Sequence, residues 1–148
     1  MRLHIQRVSR AQVEIEGTVF SAIGKGLLVL LGVTHNDSSE LIPKLCKKLI
    51  ELRIFNDSQG KMNLSVRDIG GEILVVSQFT LYADCRRGRR PDFLQAAPPE
   101  QANALYEEFV KELSGYEIPV KTGVFAADMQ VGLVNDGPVT LLLDSSEL

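Results

Sequence analysis

The chain has 148 residues, 45% apolar and 24% charged, with a formal net charge of −3. Such a chain is an ordinary globular domain, long enough to bury roughly two-thirds of its unfolded surface. Its overall charge does not attract nucleic acid, so any basic site has to be local. The opening MRLHIQRV lacks the apolar core of a signal peptide. The longest apolar run, residues 27–31, is far too short to cross a bilayer. Cys46 and Cys85 make neither a metal spacing nor a disulfide framework. The expectation is a single domain over residues 1–148, cytoplasmic, with reduced thiols, no membrane partner, no metal and no other cofactor.

Residues 3–8 begin with apolar/polar alternation at Leu3 and Ile5, and Val8 follows one residue out of phase. Residues 12–16 alternate more strictly, with Val13 and Ile15 inward, as in a half-buried antiparallel strand. Gly17 marks a turn, residues 18–23 read as the returning strand, and Gly24-Lys25-Gly26 is a second turn. Residues 27–33, LLVLLGV, are apolar on both faces and read as a central strand. Asp37, Ser38 and Ser39 are N-cap candidates for a helix carrying Leu41, Leu45, Leu49 and Leu52 on one face. Pro43 fits that helix only in its first turn. Residues 53–55 form a short strand candidate, 56–60 a loop, and 61–64 a further extended segment.

Residues 71–81, GEILVVSQFTL, then read as a buried strand that ends in Ser77, Gln78, Phe79 and Thr80. Polar groups at the end of a buried strand need a partner or a task, because leaving one unpaired costs about 1–3 kcal/mol. A basic run, Arg86-Arg87-Gly88-Arg89-Arg90-Pro91, follows. A second helix starts at Pro98-Pro99-Glu100, buries Ala102, Leu105, Phe109 and Leu113, and ends at Ser114-Gly115. Residues 120–124, 129–134 and 139–143 read as three closing strands. The order implies an α+β fold: two layers of mostly antiparallel or mixed β-sheet with two helices on one face.

Several residues carry possible chemistry, each against a plainer alternative. Thr80 is a weak nucleophile without an adjacent base, lysine or N-terminal amine, and the chain offers only His4 and His35. A hydroxyl satisfied by nearby backbone is the default for Thr80. Asn135-Asp136-Gly137-Pro138 is a turn signal, and its default is a hairpin. A Gly-Pro corner is also a stiff edge with an exposed carbonyl, because the proline ring fixes φ. The arginines at 86, 87, 89 and 90 are either a solvated loop or a phosphate contact. Phe125 and Met129 read as core packing by default. No P-loop, dinucleotide fingerprint or metal-ligand cluster is present.

Six short motifs occur together and in order: Ile5-Gln6-Arg7-Val8, Gly24-Lys25-Gly26-Leu27-Leu28, Lys61-Met62-Asn63-Leu64-Ser65, Ser77-Gln78-Phe79-Thr80-Leu81-Tyr82, Gly88-Arg89-Arg90-Pro91 and Asn135-Asp136-Gly137-Pro138-Val139-Thr140. In this combination the chain resembles the D-aminoacyl-tRNA deacylase family, the bacterial and eukaryotic type also called D-Tyr-tRNA deacylase, over essentially its whole length. His4 and Cys85 depart from the family pattern outside the two signature motifs.

The resemblance implies an enzyme that hydrolyses the ester joining a D-amino acid, or glycine, to the 3′-terminal adenosine of tRNA. It implies a homodimer in which Gly137-Pro138 is cis and reaches into the partner's pocket, with Arg7 fixing that corner. It also implies that Ser77, Gln78, Phe79 and Thr80 line the reacting ester while Phe125 and Met129 flank the adenine. Three readings compete with it: an RNA-binding module without catalysis, a hydrolase of small D-amino-acid esters, and a structural dimer whose Gly-Pro corner only locks the interface.

Overall fold

The computed structural model describes all residues, 1–148. The elements are β1 (Arg2–Ile15), β2 (Thr18–Ile23), β3 (Gly26–Gly32), α1 (Ile42–Glu51), β4 (Phe55–Asn56), β5 (Met62–Leu64), β6 (Glu72–Ser77), α2 (Pro99–Ser114), β7 (Val120–Thr122) and β8 (Gln130–Asp144). No helix is long and apolar enough to cross a membrane.

The long strand β1 organises the sheet. Along one edge it pairs antiparallel with β8 over almost its whole length. Along the other, residues 2–8 pair with β3 and residues 11–15 with β2. From β3 the sheet continues by parallel pairing to β6 and then to β7, so it is mixed. Parallel neighbours need long crossover connections, and α1 and α2 are those crossovers. Two crossovers of one hand, stepping the same way across a sheet, leave both helices on one face.

The ends of the strand path β2-β1-β3-β6-β7 come back together. Ser21 Oγ on β2 donates to Thr122 O on β7 at 2.7 Å, and Lys121 Nζ donates to Ala22 O at 2.7 Å. The two sheet layers expected from the strand count are therefore one sheet curled into a nearly closed barrel, with β4 and β5 as a separate two-stranded ribbon. The strand count misleads because β1 serves two neighbours in succession along one edge, which lets a single sheet fold over on itself.

The core divides by side-chain parity. Leu27, Val29, Leu31, Ile73 and Val75 face the helices and pack with Leu45, Leu49, Phe109 and Leu113. Their neighbours Leu28, Leu74 and Val76 face the barrel interior with Val8, Ala11, Val13 and Ile23. Alternation sends successive residues to opposite faces, so β3 and β6 are apolar throughout because both faces are buried. β1 changes sides midway: Leu3 and Ile5 join the helix-side core, Val8 and Val13 the barrel core. The phase slip between Ile5 and Val8 is the trace of that change, and it coincides with a register shift against β8 between Gln6 and Val8.

Two local expectations are revised. Ser38 makes no capping bond; a 3₁₀ turn, Ser39–Leu41, leads into α1 with Pro43 in its first turn. Asp37 instead turns back, accepting from Thr34 N at 2.7 Å and pairing with the Met1 amine. The last two of the three closing strands are one strand, β8, for a reason visible at the site.

Candidate active site

β6 ends at Ser77 and does not run on through Thr80. Gln78 N donates to Leu31 O at 2.8 Å, and Phe79–Tyr82 then wind into a 3₁₀ turn. The turn sits on the end of β3 because residue 32 is glycine: a Cβ there would lie 3.0 Å from Leu81 Cβ and 3.1 Å from Gln78 O. Ser77 and Gln78 are half-buried, whereas Phe79 and Thr80 are exposed. The polar tail is thus a surface turn at the mouth of a buried strand. The first N–H groups of a helical turn have no acceptor within it, which here leaves those of Phe79 and Thr80 as available donors. The Thr80 hydroxyl accepts from Gln78 Nε2, and no lysine or histidine is bonded to it.

This turn borders a cavity of about 810 Å³ with a mostly apolar lining. Ser77, Gln78, Phe79, Phe125 and Met129 all line it; Thr80, Arg7, Gly137 and Pro138 do not. Phe125 and Met129 are each half-buried and do both jobs open to them in sequence. Phe125 packs on the helix-side core, its ring centroid 6.3 Å from that of Tyr106, and Met129 packs on the barrel core. Behind the wall, Tyr106 OH donates to Val75 O at 2.9 Å. Burial pushes the Tyr106 phenol up to about 12, so it is a neutral donor at physiological pH. The ionisable residues of the lining are His35 and Asp128.

Gly137 and Pro138 are exposed on a different part of the surface, and the bond between them is cis. β8 pairs Asn135 with Val8 and resumes with Thr140 opposite Gln6, so residues 136–139 swing out where β1 contributes Arg7 alone. The side chain of Asn135 closes the neck of this excursion. Its Nδ2 donates to Thr140 Oγ1 at 2.7 Å, and its Oδ1 accepts from Val139 N at 2.9 Å. Both halves of β8 then run in the same direction along β1, so the motif is a bulge within one strand and not a hairpin turn. Arg7, 5% exposed, lies beneath it. Its Nε donates to Asp136 O at 2.8 Å and its Nη1 to Ile54 O at 2.6 Å.

A family model described as D-Tyr-tRNA(Tyr) deacylase matches residues 4–144. The chain belongs to the D-Tyr-tRNA(Tyr) deacylase family. It is 60% identical over 148 residues to a protein of Thermosipho africanus (strain TCF52B) named D-aminoacyl-tRNA deacylase, covering 100% of this chain and 99% of that one. Among solved structures it resembles the c-Myc DNA Unwinding Element Binding Protein, with a TM-score of 0.91 and 43% identity over 97% of this chain and 98% of that one. A chain described as a probable eukaryotic D-amino acid tRNA deacylase shares the fold, with a TM-score of 0.81 at 18% identity over 96% and 97% of the two chains.

The match to the D-Tyr-tRNA(Tyr) deacylase family spans both the cavity and the 136–139 bulge. Sequence reasoning raises His35 only as a possible base and Asp128 only as an unpaired carboxylate, and Phe93 and Leu94 not at all, so it places none of these four cavity residues at the site. Phe93 and Leu94 had a readable signal: two large apolar residues directly after a basic run, where solvent is the default environment. Leu94 is 81% exposed, and the Phe93 ring meets Phe79 edge-on at 5.0 Å and 73°. His35 had none, because only the folded chain brings it to Leu94 O, to which its Nε2 donates at 2.7 Å.

Proposed function

We propose that this protein hydrolyses the ester of D-aminoacyl-tRNA, and of glycyl-tRNA, in the cytoplasm, and that it works as a homodimer. The cavity takes the terminal adenosine with its amino acid, the adenine lying between Phe125 and Met129 and the ester facing Ser77, Gln78, Phe79 and Thr80. The supporting observation is the cavity's make-up. It has the size of a ligand site, an apolar wall with polar Ser77 and Gln78 at one end, and a turn with free N–H donors beside it. Donors fixed in that way stabilise the charge that develops on a carbonyl oxygen as water attacks.

Chirality in this reading is judged by the Gly137-Pro138 corner of a second subunit. The corner does not line the cavity of its own chain, yet the protein holds it firmly from below through Arg7 and Asn135. β8 pairs only with β1, which leaves its other edge free. That edge exposes Leu133, Val134, Leu141 and Leu142, the last at 61%. A long apolar edge is a liability unless a second chain covers it. A stiff backbone corner leaves room for one arrangement around the α-carbon and clashes with the other. It therefore rejects L-residues without a pocket shaped to any one side chain, and glycine, which has no side chain to clash, is admitted.

Thr80 has no base at hand, so the attacking water is organised by the substrate's own 2′-OH. Deacylation of matched D- and L-aminoacyl-tRNA tests the proposal. Rapid loss of the D-ester with the L-ester spared is expected; equal rates on both, or no hydrolysis of either, would sink it.

A further inference from the structure

We propose that the loop of residues 84–92 grips the phosphodiester backbone of the RNA substrate, with Arg87, Arg89 and Arg90 as its phosphate-binding side chains. The inference rests on the reading that the cavity receives the 3′ end of a tRNA.

The loop is fixed to the cavity rim at both ends. It leaves the 3₁₀ turn Phe79–Tyr82 and closes where Asp84 N donates to Asp92 O at 2.9 Å and Asp92 N to Asp84 O at 3.0 Å. The next residue, Phe93, lines the cavity and packs on Phe79. The segment leaving the loop is stitched to residues 33–35. Thr34 Oγ1 donates to Gln95 O at 2.6 Å, His35 Nε2 to Leu94 O at 2.7 Å, and Ala97 N to Val33 O at 2.9 Å. A nucleic-acid chain leaving the cavity on this side meets the loop first.

The loop's charges are sorted, not merely concentrated. Arg86 folds back onto Asp84, donating through Nε and Nη2 to its carboxylate. Asp92 Oδ1 accepts from Leu94 N at 3.2 Å. Arg87, Arg89 and Arg90 are exposed and make no hydrogen bond or ion pair within the chain. Three free guanidiniums at one loop tip stand against a net charge of −3 for the whole protein. Guanidinium forks match phosphate oxygens bidentately, and such contacts fix the register of a bound strand without reading its bases. On the proposed reading the cavity takes the terminal adenosine with its amino acid, so the phosphates of the nucleotides before it are the anions that continuity with the site puts within reach.

The test compares wild type with the triple variant Arg87→Ala/Arg89→Ala/Arg90→Ala and with the corresponding triple lysine variant. Binding of deacylated tRNA is measured against salt, together with hydrolysis of a minimal ester, 3′-O-(D-aminoacyl)adenosine, which has no phosphate. The alanine variant is expected to bind tRNA roughly 10–100-fold more weakly at about 0.1 M salt. Its slope of log affinity against log salt should be shallower by about 2, from three lost single-strand contacts. Its rate on the minimal ester should be unchanged, and the lysine variant should keep most of the slope. An unchanged slope in the alanine variant, or equal losses on tRNA and on the minimal ester, overturns the proposal. Should wild type hydrolyse no ester at all, the deacylase reading fails, and the binding arm still decides the loop's role.

Discussion

The guanidinium of Arg7 occupies the space beside Gly137: a Cβ on Gly137 would lie 2.9 Å from Arg7 Nη2, 2.9 Å from Val139 Cγ2 and 3.0 Å from Val139 N. Gly137 also has φ +135°, where L side chains are strained. Gly137→Ala should therefore cost about 1–3 kcal/mol of stability and displace the corner. Arg7→Ala removes the donors to Asp136 O and Ile54 O, and each lost charged bond costs about 1.5–3 kcal/mol. Both variants should melt several degrees lower and lose discrimination between D- and L-aminoacyl-tRNA before they lose the fold. Thermal melts with single-turnover deacylation read both, and wild-type discrimination in Gly137→Ala would remove the corner from the chiral step.

Thr80 supplies a second division. Its hydroxyl is exposed and bonded only to Gln78 Nε2, an amide that cannot take a proton from it. Thr80→Ala is expected to keep activity within about tenfold. Replacing the terminal ribose 2′-OH by hydrogen should cost roughly 10²–10⁴-fold, the range for a positioned proton-transfer group. The opposite ranking, with a covalent adduct trapped on wild type, would make Thr80 the nucleophile.

Sequence reading reached the elements that depend on local pattern and stopped at those that depend on pairing. The double-faced apolar run at 27–33, the Leu45/Leu49 stripe of α1 and the Leu105/Phe109 stripe of α2 all lie in the core as read. Ser77, Gln78, Phe79, Phe125 and Met129 do meet at one cavity. The 3₁₀ turn at Phe79–Tyr82 was hidden because Ser-Gln-Phe-Thr-Leu alternates well enough to continue a strand. What ends the strand is the contact with Gly32, far away in sequence. The bulge at 136–139 was hidden because Asn-Asp-Gly-Pro signals a reversal in any local scheme. Only the Asn135 side-chain bonds, which absorb the extra residues, let β8 resume along β1.

Tyr106 offers a test of the wall independent of chemistry. Val75 O accepts both Tyr106 OH at 2.9 Å and Gly123 N at 3.2 Å, so Tyr106→Phe leaves that carbonyl with one partner. The expected cost is about 1 kcal/mol, or roughly 2–4 °C in Tm for a chain of this size. Activity well below the transition should stay within about twofold, since the ring keeps its place beside Phe125. A larger kinetic loss without a matching change in Tm would mean that the hydroxyl acts on the substrate.

The last prediction concerns the fork between Arg86 and Asp84. The Arg86 side chain, and then its backbone N–H, hold the Asp84 carboxyl at about 2, against an ordinary 3.8. A carboxyl depressed in the folded state lends stability that is complete above its unfolded value and is lost as pH falls through the folded one. The stability that the fork lends should therefore be complete above about pH 4 and fall away between about 4 and 2, while the fork itself opens only around its folded midpoint of about 2. Carboxyl NMR titration should give a midpoint of about 2 for Asp84 in wild type and a return toward 3.8 in Arg86→Ala. At neutral pH the charge-neutral double variant Asp84→Ala/Arg86→Ala should barely change the salt dependence of tRNA binding, because the two charges already cancel in the fork. A wild-type midpoint near 3.8 would instead mean that the fork is open in solution and that Arg86 is a fourth free guanidinium on the loop.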